Sequence, residues 1–328
     1  MVFVLLCQGG SRHNKPNVLL KIGLITRKNM GKNSPRISVV IASIVGAPFI
    51  DECLKSLEVQ ARECAAEVIV VACGDTAYAK RIAKNFPWVR VIHRSERETV
   101  PDLRRHGVLK ASGGIIAIIE EHCLAAPDWL RAAMDAHGSG EYGVVGGPVV
   151  DYAYKRLRDW VVYFCEYNGY LPPWQAGETY NLGSANIAYS RELLLKYEAL
   201  LKTGYWEAGL HPQLIADGVK FRSVPGMVVH HRGPFDYGYY LQQRYWFSRA
   251  FAGARKMPGT RKLAYFIASP LLPFLLLARM TQRVVRQRCR VEKFAQTLPL
   301  LIPVLMVYVA GECVGYLAGP GDALLKVE

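Results

Sequence analysis

Acidic residues are absent from the first 34 positions of this 328-residue chain. They are nearly absent again from residues 244–293, where Glu292 stands alone among 12 Lys and Arg. The whole chain carries 41 Lys and Arg against 27 Asp and Glu, a net charge of +14. The excess is local, because residues 35–243 hold 22 bases and 23 acids. A nucleic-acid enzyme concentrates bases around its cleft. Here the bases adjoin the apolar stretches of the C-terminal third, which points to an anionic membrane surface and away from nucleic acid.

Other signatures are missing too. The eight cysteines, at 7, 53, 64, 73, 123, 165, 289 and 313, form no C-x-x-C pair. That argues against a zinc ribbon and a disulfide framework, and leaves reduced, cytosol-facing thiols as the simplest reading. The apolar run at residues 2–7 has no preceding positive charge and is too short for a signal peptide. Residues 1–34 read as a poorly ordered leader, or a start codon placed too early. With 51% hydrophobic and 11% aromatic residues the chain is not disordered. Its length suits one large domain or two modest ones.

From Arg36 onward the pattern alternates. Short apolar, β-branched runs at residues 37–41, 67–72, 89–92, 115–119 and 143–145 read as buried strands. Helical patterns between them start at Pro48, after Thr76, at Pro101 and at Pro127. Such alternation predicts a doubly wound α/β sheet, whose ligand sits beyond the carboxyl ends of the strands. No G-x-G-x-x-G or G-x-x-x-x-G-K-[ST] pattern follows the first strand, so dinucleotide and P-loop readings are weak. Residues 151–180 are aromatic-rich and read as irregular. Residues 181–189 read as a strand, 191–202 as a helix, and 219–224 and 227–231 as short strands.

At the end of the fourth strand stand Glu120, Glu121, His122 and Cys123. Along an extended chain Glu120 and His122 share a face while Glu121 points away. Two acids and an imidazole at the active edge suit a divalent cation or a metal–pyrophosphate complex. Solvated side chains at an exposed strand end account for them about as well.

Several blocks together resemble a family 2 glycosyltransferase of the GT-A fold. They are residues 37–43 (ISVVIAS), 54–60, 67–71 and Gly74-Asp75-Thr76, then Arg104 to Gly107, 111–114 and 115–130. Residues 181–191 (NLGSANIAYSR) resemble the acceptor-side block. Trp206-Glu207, 218–225 and His230-His231 resemble the closing block. The resemblance implies a mixed GT-A sheet over residues 35–243, with 35–150 binding the nucleotide sugar and 151–243 the acceptor. Residues 244–328 are then membrane-associating helices.

By resemblance, a sugar passes from a nucleotide-diphosphate donor to the hydroxyl of a lipid-linked or polysaccharide acceptor, with inversion. Glu207 falls at the general base. Ser43, Asp75, Arg104, Glu120 and Glu121 fall on the donor side, and Asn186, Trp206 and His231 on the acceptor side. Trp206 is placed to stack on a sugar ring. Glu120 and His122 fall on the motif that binds Mn2+ or Mg2+. The sequence departs from the family where Ala72-Cys73 replaces acids after strand two, and where Glu-Glu-His replaces aspartates. Two rival readings are an inactive GT-A protein that binds a sugar nucleotide or scaffolds a polysaccharide assembly, and a nucleotidyltransferase. The latter lacks its usual basic loop at residues 43–46.

The tail has two apolar segments, residues 263–278 with Pro270 and Pro273, and residues 298–318 with Glu312. The stretch 281–293 between them carries five bases and reads as a loop that stays with the catalytic body on the cytoplasmic face of the plasma (inner) membrane. On that reading the first segment is re-entrant or interfacial.

Overall fold

The computed structural model describes residues 35–327 except Val45, Ala47, Ala153, Thr203, Tyr205, Pro234 and Phe235. The leader expected at residues 1–34 lies outside the described residues. In chain order the elements are β1 (Ile37–Ser43), α1 (Phe49–Glu63), β2 (Glu67–Cys73), α2 (Thr76–Asn85), β3 (Arg90–Arg94), α3 (Val100–Lys110), β4 (Ile115–Ile119), β5 (Cys123–Ala125), α4 (Trp129–Gly138), β6 (Val144–Gly146) and β7 (Val149–Tyr152). There follow α5 (Leu157–Tyr167), β8 (Gly177–Glu178), β9 (Asn186–Ser190), α6 (Arg191–Lys196), α7 (Glu198–Leu201), α8 (Trp206–Ala216), β10 (Phe221–Ser223) and β11 (Val229–Arg232). The chain continues through α9 (Tyr237–Gly253), α10 (Gly259–Ala268), α11 (Leu272–Gln287) and α12 (Val291–Ala318).

The main sheet has eight strands in the order β3-β2-β1-β4-β9-β6-β10-β8. β1 to β4 are parallel; β1, β2 and β4 are apolar runs buried on both faces, as inner parallel strands require, while β3 is the half-exposed edge. β9 enters antiparallel between β4 and β6, which makes the sheet mixed. A second sheet has the order β5-β11-β7.

Helix placement follows from local chemistry. α1 buries Ile50, Cys53, Leu54, Leu57 and Ala61 on one stripe. Thr99 caps α3 by accepting from the Asp102 N–H at 3.2 Å, and Pro101 sits in its first turn. Gly107 lets α3 approach β1 closely, since a Cβ there would lie 2.3 Å from Val40 Cγ1. Arg104, one turn earlier on α3, is thereby fixed.

The described chain divides into two compact units. One joins the residues up to Val150 with Trp174–Arg232, and the other joins Asp151–Pro173 with the residues from Gly233 onward. The boundary therefore falls earlier than 243, and 151–173 leaves the sheet unit. Residues 157–167 are helical, not irregular: α5 packs Phe164 against Phe294 of α12, with ring centroids 5.1 Å apart. Most of the expected loop 281–293 is helical as well. The turn is confined to Arg288–Arg290, with Arg288 and Arg290 at φ of 50° and 54°. The runs Gly259–Gln287 and Val291–Ala318 are both long and apolar enough to cross a membrane.

Candidate functional site

The carboxyl edge of β4 gathers the chemistry. Glu120 and His122 lie on one side of the chain, with His122 Nε2 3.2 Å from a Glu120 oxygen. Arg104 reaches the other Glu120 oxygen from α3 at 3.2 Å, and the guanidinium is almost wholly buried. The His122 ring stands edge-on to Phe49 and to His231, whose centroid is 5.0 Å away.

β11 pairs His231 with Cys123, and the Arg232 N–H donates to the His122 carbonyl at 3.1 Å. This second sheet holds the strand end in place. His231 is buried, and desolvation, then the neighbouring His122, drives its imidazole well below the usual range. It supports His122 and does not face an acceptor.

Glu121 turns the other way, not by strand alternation but because residues 121–122 form a turn closed by the Cys123 N–H on the Glu120 carbonyl at 2.9 Å. Its carboxylate accepts from Ser43 Oγ at 2.6 Å, Ile44 N at 2.8 Å and Gly46 N at 3.1 Å. Ser43 also bonds the Tyr78 hydroxyl. Both residues are buried, so this pair ties down the loop after β1 and is corrected from donor contact to loop support. Asp75 caps α2, accepting from the Ala77 N–H at 3.0 Å, and is exposed at the edge of β2. Where the family has acids, Ala72 and Cys73 are buried, and the Cys73 thiol reaches the Glu96 carbonyl at 3.2 Å.

The antiparallel β9 sets Asn186 opposite Ile119, so the residues just before it lie beyond the end of β4. Ser184 is among them. Its N–H donates to Glu207 Oε1 at 2.8 Å, and its hydroxyl donates to the same oxygen. Glu207 thus reaches the same sheet edge from the first turn of α8.

Burial would raise the Glu207 carboxyl. His211, Arg104 and the two Ser184 hydrogen bonds outweigh it and hold the group below its ordinary value. Burial in turn drives His211 down to about 4, against the pull of Glu207. At neutral pH the pair is therefore a carboxylate beside a neutral imidazole, the latter 2.7 Å from the Tyr189 hydroxyl.

Two acceptor-side expectations are corrected. Trp206 is buried among core side chains, edge-on to Tyr189, and its indole N–H donates to the Leu201 carbonyl at 3.2 Å. No face of it is open to a sugar. Asn186 is buried, donating to the Pro148 and Met227 carbonyls at 2.8 and 2.6 Å and accepting from Trp129 Nε1 at 2.7 Å. It clamps the sheet. Ser184 and His211 were not foreseen, although His211 stands four residues after Glu207 on one helical face.

A divalent cation has three candidate ligands here. Atoms of Glu120, His122 and Cys123 lie within 4.8 Å of one another. Burial pushes the Cys123 thiol well up, which makes it the weakest candidate of the three. The carboxylate oxygen and the imidazole are the stronger two, a pair that fits a borderline cation such as manganese better than magnesium.

A mixed sheet with these polar residues on the carboxyl edge of its parallel half is the GT-A arrangement. Residues 38–197 match the model of the glycosyl transferase family 2, and the chain carries a domain of that family. Its function is accordingly of the glycosyltransferase type. A search of curated proteins returned no match.

Proposed function

We propose that this chain moves a sugar from a nucleoside-diphosphate donor to a hydroxyl of a lipid-linked or polysaccharide acceptor, with inversion, on the cytoplasmic face of a membrane. The observation that carries the reading is the Glu207 carboxylate, held charged at the same sheet edge as Glu120, Arg104 and His122.

Inversion in one displacement needs two services from the protein. The acceptor oxygen attacks the anomeric carbon as the bond from that carbon to the diphosphate oxygen breaks, and the hydroxyl proton passes to Glu207. Charge gathers on the leaving diphosphate, where the fixed Arg104 guanidinium offsets it in a dry environment. Glu120 and His122 would hold a divalent cation, which when bound neutralises the same diphosphate.

One observation favours the second reading, a protein that binds a sugar nucleotide without transferring the sugar: both Glu120 oxygens already face a nitrogen, of Arg104 and of His122. The two separate on incubation with a panel of nucleoside-diphosphate sugars and acceptor, with and without manganese. Release of nucleoside diphosphate with at least one donor is expected. Donor binding with no release in any condition supports the second reading.

A further inference from the structure

The helical unit contains its own indication of how it meets a membrane. α9 runs beside α12 in the same direction. The Tyr237 hydroxyl donates to the Leu300 carbonyl in the first half of α12, Ser248 faces Gly311, and Gly253 faces Pro320 beyond its end. The two backbones nearly touch: a Cβ on Gly311 would lie 2.1 Å from Ser248 Oγ, and one on Gly315 2.6 Å from the Arg249 carbonyl oxygen. α9 is not a helix that hydrocarbon accepts bare, because it carries Gln242, Gln243, Arg244 and Arg249, with Gln242 exposed.

After α12 the chain turns at Gly319 and returns along α9. Arg249 Nε donates to the Gly319 carbonyl at 3.4 Å, and Gln243 Nε2 donates to the Lys326 carbonyl at 3.1 Å. The Lys326 ammonium lies 4.2 Å from the Trp246 ring centroid and pairs with Asp322 at 3.0 Å. These two side chains are 43% and 59% exposed.

Parallel helices advance together, so the Ser248–Gly311 level fixes the others. Five residues back on each helix, Gln243 stands level with Met306, in the middle of the apolar run 298–318. Were α12 to stand across a bilayer, an exposed ion pair on the short helical turn Ala323–Lys326 would face lipid near its centre, where charge is costly.

α12 exposes Ile302, Met306 and Leu317, and a longer apolar stripe lies on the preceding helices. Leu263, Ile267, Leu271, Phe274 and Leu275 follow one another at helical spacing along α10, the short turn Ser269–Leu271 and α11, all exposed, Phe274 by 73%. Exposed bases bracket this stripe, Arg261 before it and Arg286 and Arg288 after it. An apolar stripe between two groups of cations matches a leaflet with anionic headgroups.

We propose that the helical unit is monotopic: α10 and α11 seat in one leaflet of an anionic membrane, and neither long apolar run crosses to the other side. The inference rests on the membrane-associated reading above and specifies the seating. It requires the turns around Lys256 and Cys289 and the segment around Asp322 all to stay on the side of the catalytic unit.

The test uses the full chain in intact cells, with Lys256→Cys and Asp322→Cys made separately at exposed positions. An impermeant thiol reagent is added before or after permeabilisation, and labelled positions are read by mass spectrometry so that the native cysteines stay. Sedimentation with membranes is measured in parallel. The expected result is a sedimenting protein whose positions 256, 289 and 322 are labelled only after permeabilisation. Labelling of any of the three from outside overturns the monotopic seating and leaves membrane association standing. A chain recovered in the soluble fraction, alone or paired with a second copy over the apolar stripe, overturns both.

Discussion

The sheet unit and the helical unit treat their apolar residues in opposite ways. Among the described residues sixteen large hydrophobic side chains are exposed, and only Val59 and Tyr180 of these belong to the sheet unit. The sheet unit closes its core and turns polar groups toward one strand edge. The helical unit pairs its buried charges, Arg244 with Glu166 at 2.7 Å and Arg255 near Glu312 at 3.9 Å, and turns Ile267, Leu271 and Phe274 outward. Monotopic seating explains the contrast, since the two units then face different solvents.

The comparison can be broken from either side. The largest expected effect is in the sheet unit, from Glu121→Ala. It leaves the Ser43 hydroxyl and the Ile44 and Gly46 N–H groups without their acceptor. Each orphaned buried donor costs ~1–3 kcal/mol, and water recovers part, so a loss of about 3 kcal/mol in urea unfolding is expected. A cost near zero would mean that this carboxylate is free for donor contact after all.

Next is Gly315→Leu in the helical unit. The added side chain meets the Arg249 carbonyl and Ala252, and overpacking of this kind costs ~1–3 kcal/mol. Limited proteolysis should then cut around residues 254–258 while donor binding persists. Protection equal to that of the wild type would contradict the α9–α12 packing.

The smallest effect is one of pH. Because the Glu207 carboxyl is held low, its charged form and the stabilisation it gives are present above the unfolded value of about 4.3 and are lost only as pH falls through the depressed folded value. The pH–rate profile should therefore be flat through the mildly acidic range. Arg104→Met removes one of the groups that lower it, and the acid limb should move to higher pH. An unmoved limb would place the titrating group elsewhere.

Much of this was legible because strand chemistry is local. The parallel strands announce themselves as β-branched runs, whereas Glu121 parts from Glu120 and His122 through a turn at residues 121–122 and not through the strand alternation expected. The glycosyltransferase resemblance is matched by the family domain over residues 38–197, and the closing block with Glu207 lies beyond that match. What was not legible depends on packing. Residues 157–167 are amphipathic, but they lie in an aromatic-rich stretch, and aromatics suit strands as well as helices, so α5 was not foreseen. Trp206 looked available for a sugar because sequence places it beside an acid, whereas only the fold shows that the two adjacent residues of α8 diverge. Glu207 goes to the sheet edge and Trp206 into the core. The role of Ser184 is equally non-local, since it arises from the antiparallel entry of β9 beside β4.

The most direct test of the central claim is Glu207→Gln. Glutamine keeps the size of the side chain and an oxygen for the Ser184 donors, and removes only the base. Transfer is predicted to fall by ~10²–10⁴ while donor binding stays nearly unchanged, measured as product formation and donor titration on the same preparation. Wild-type turnover in that variant would contradict the assignment of Glu207.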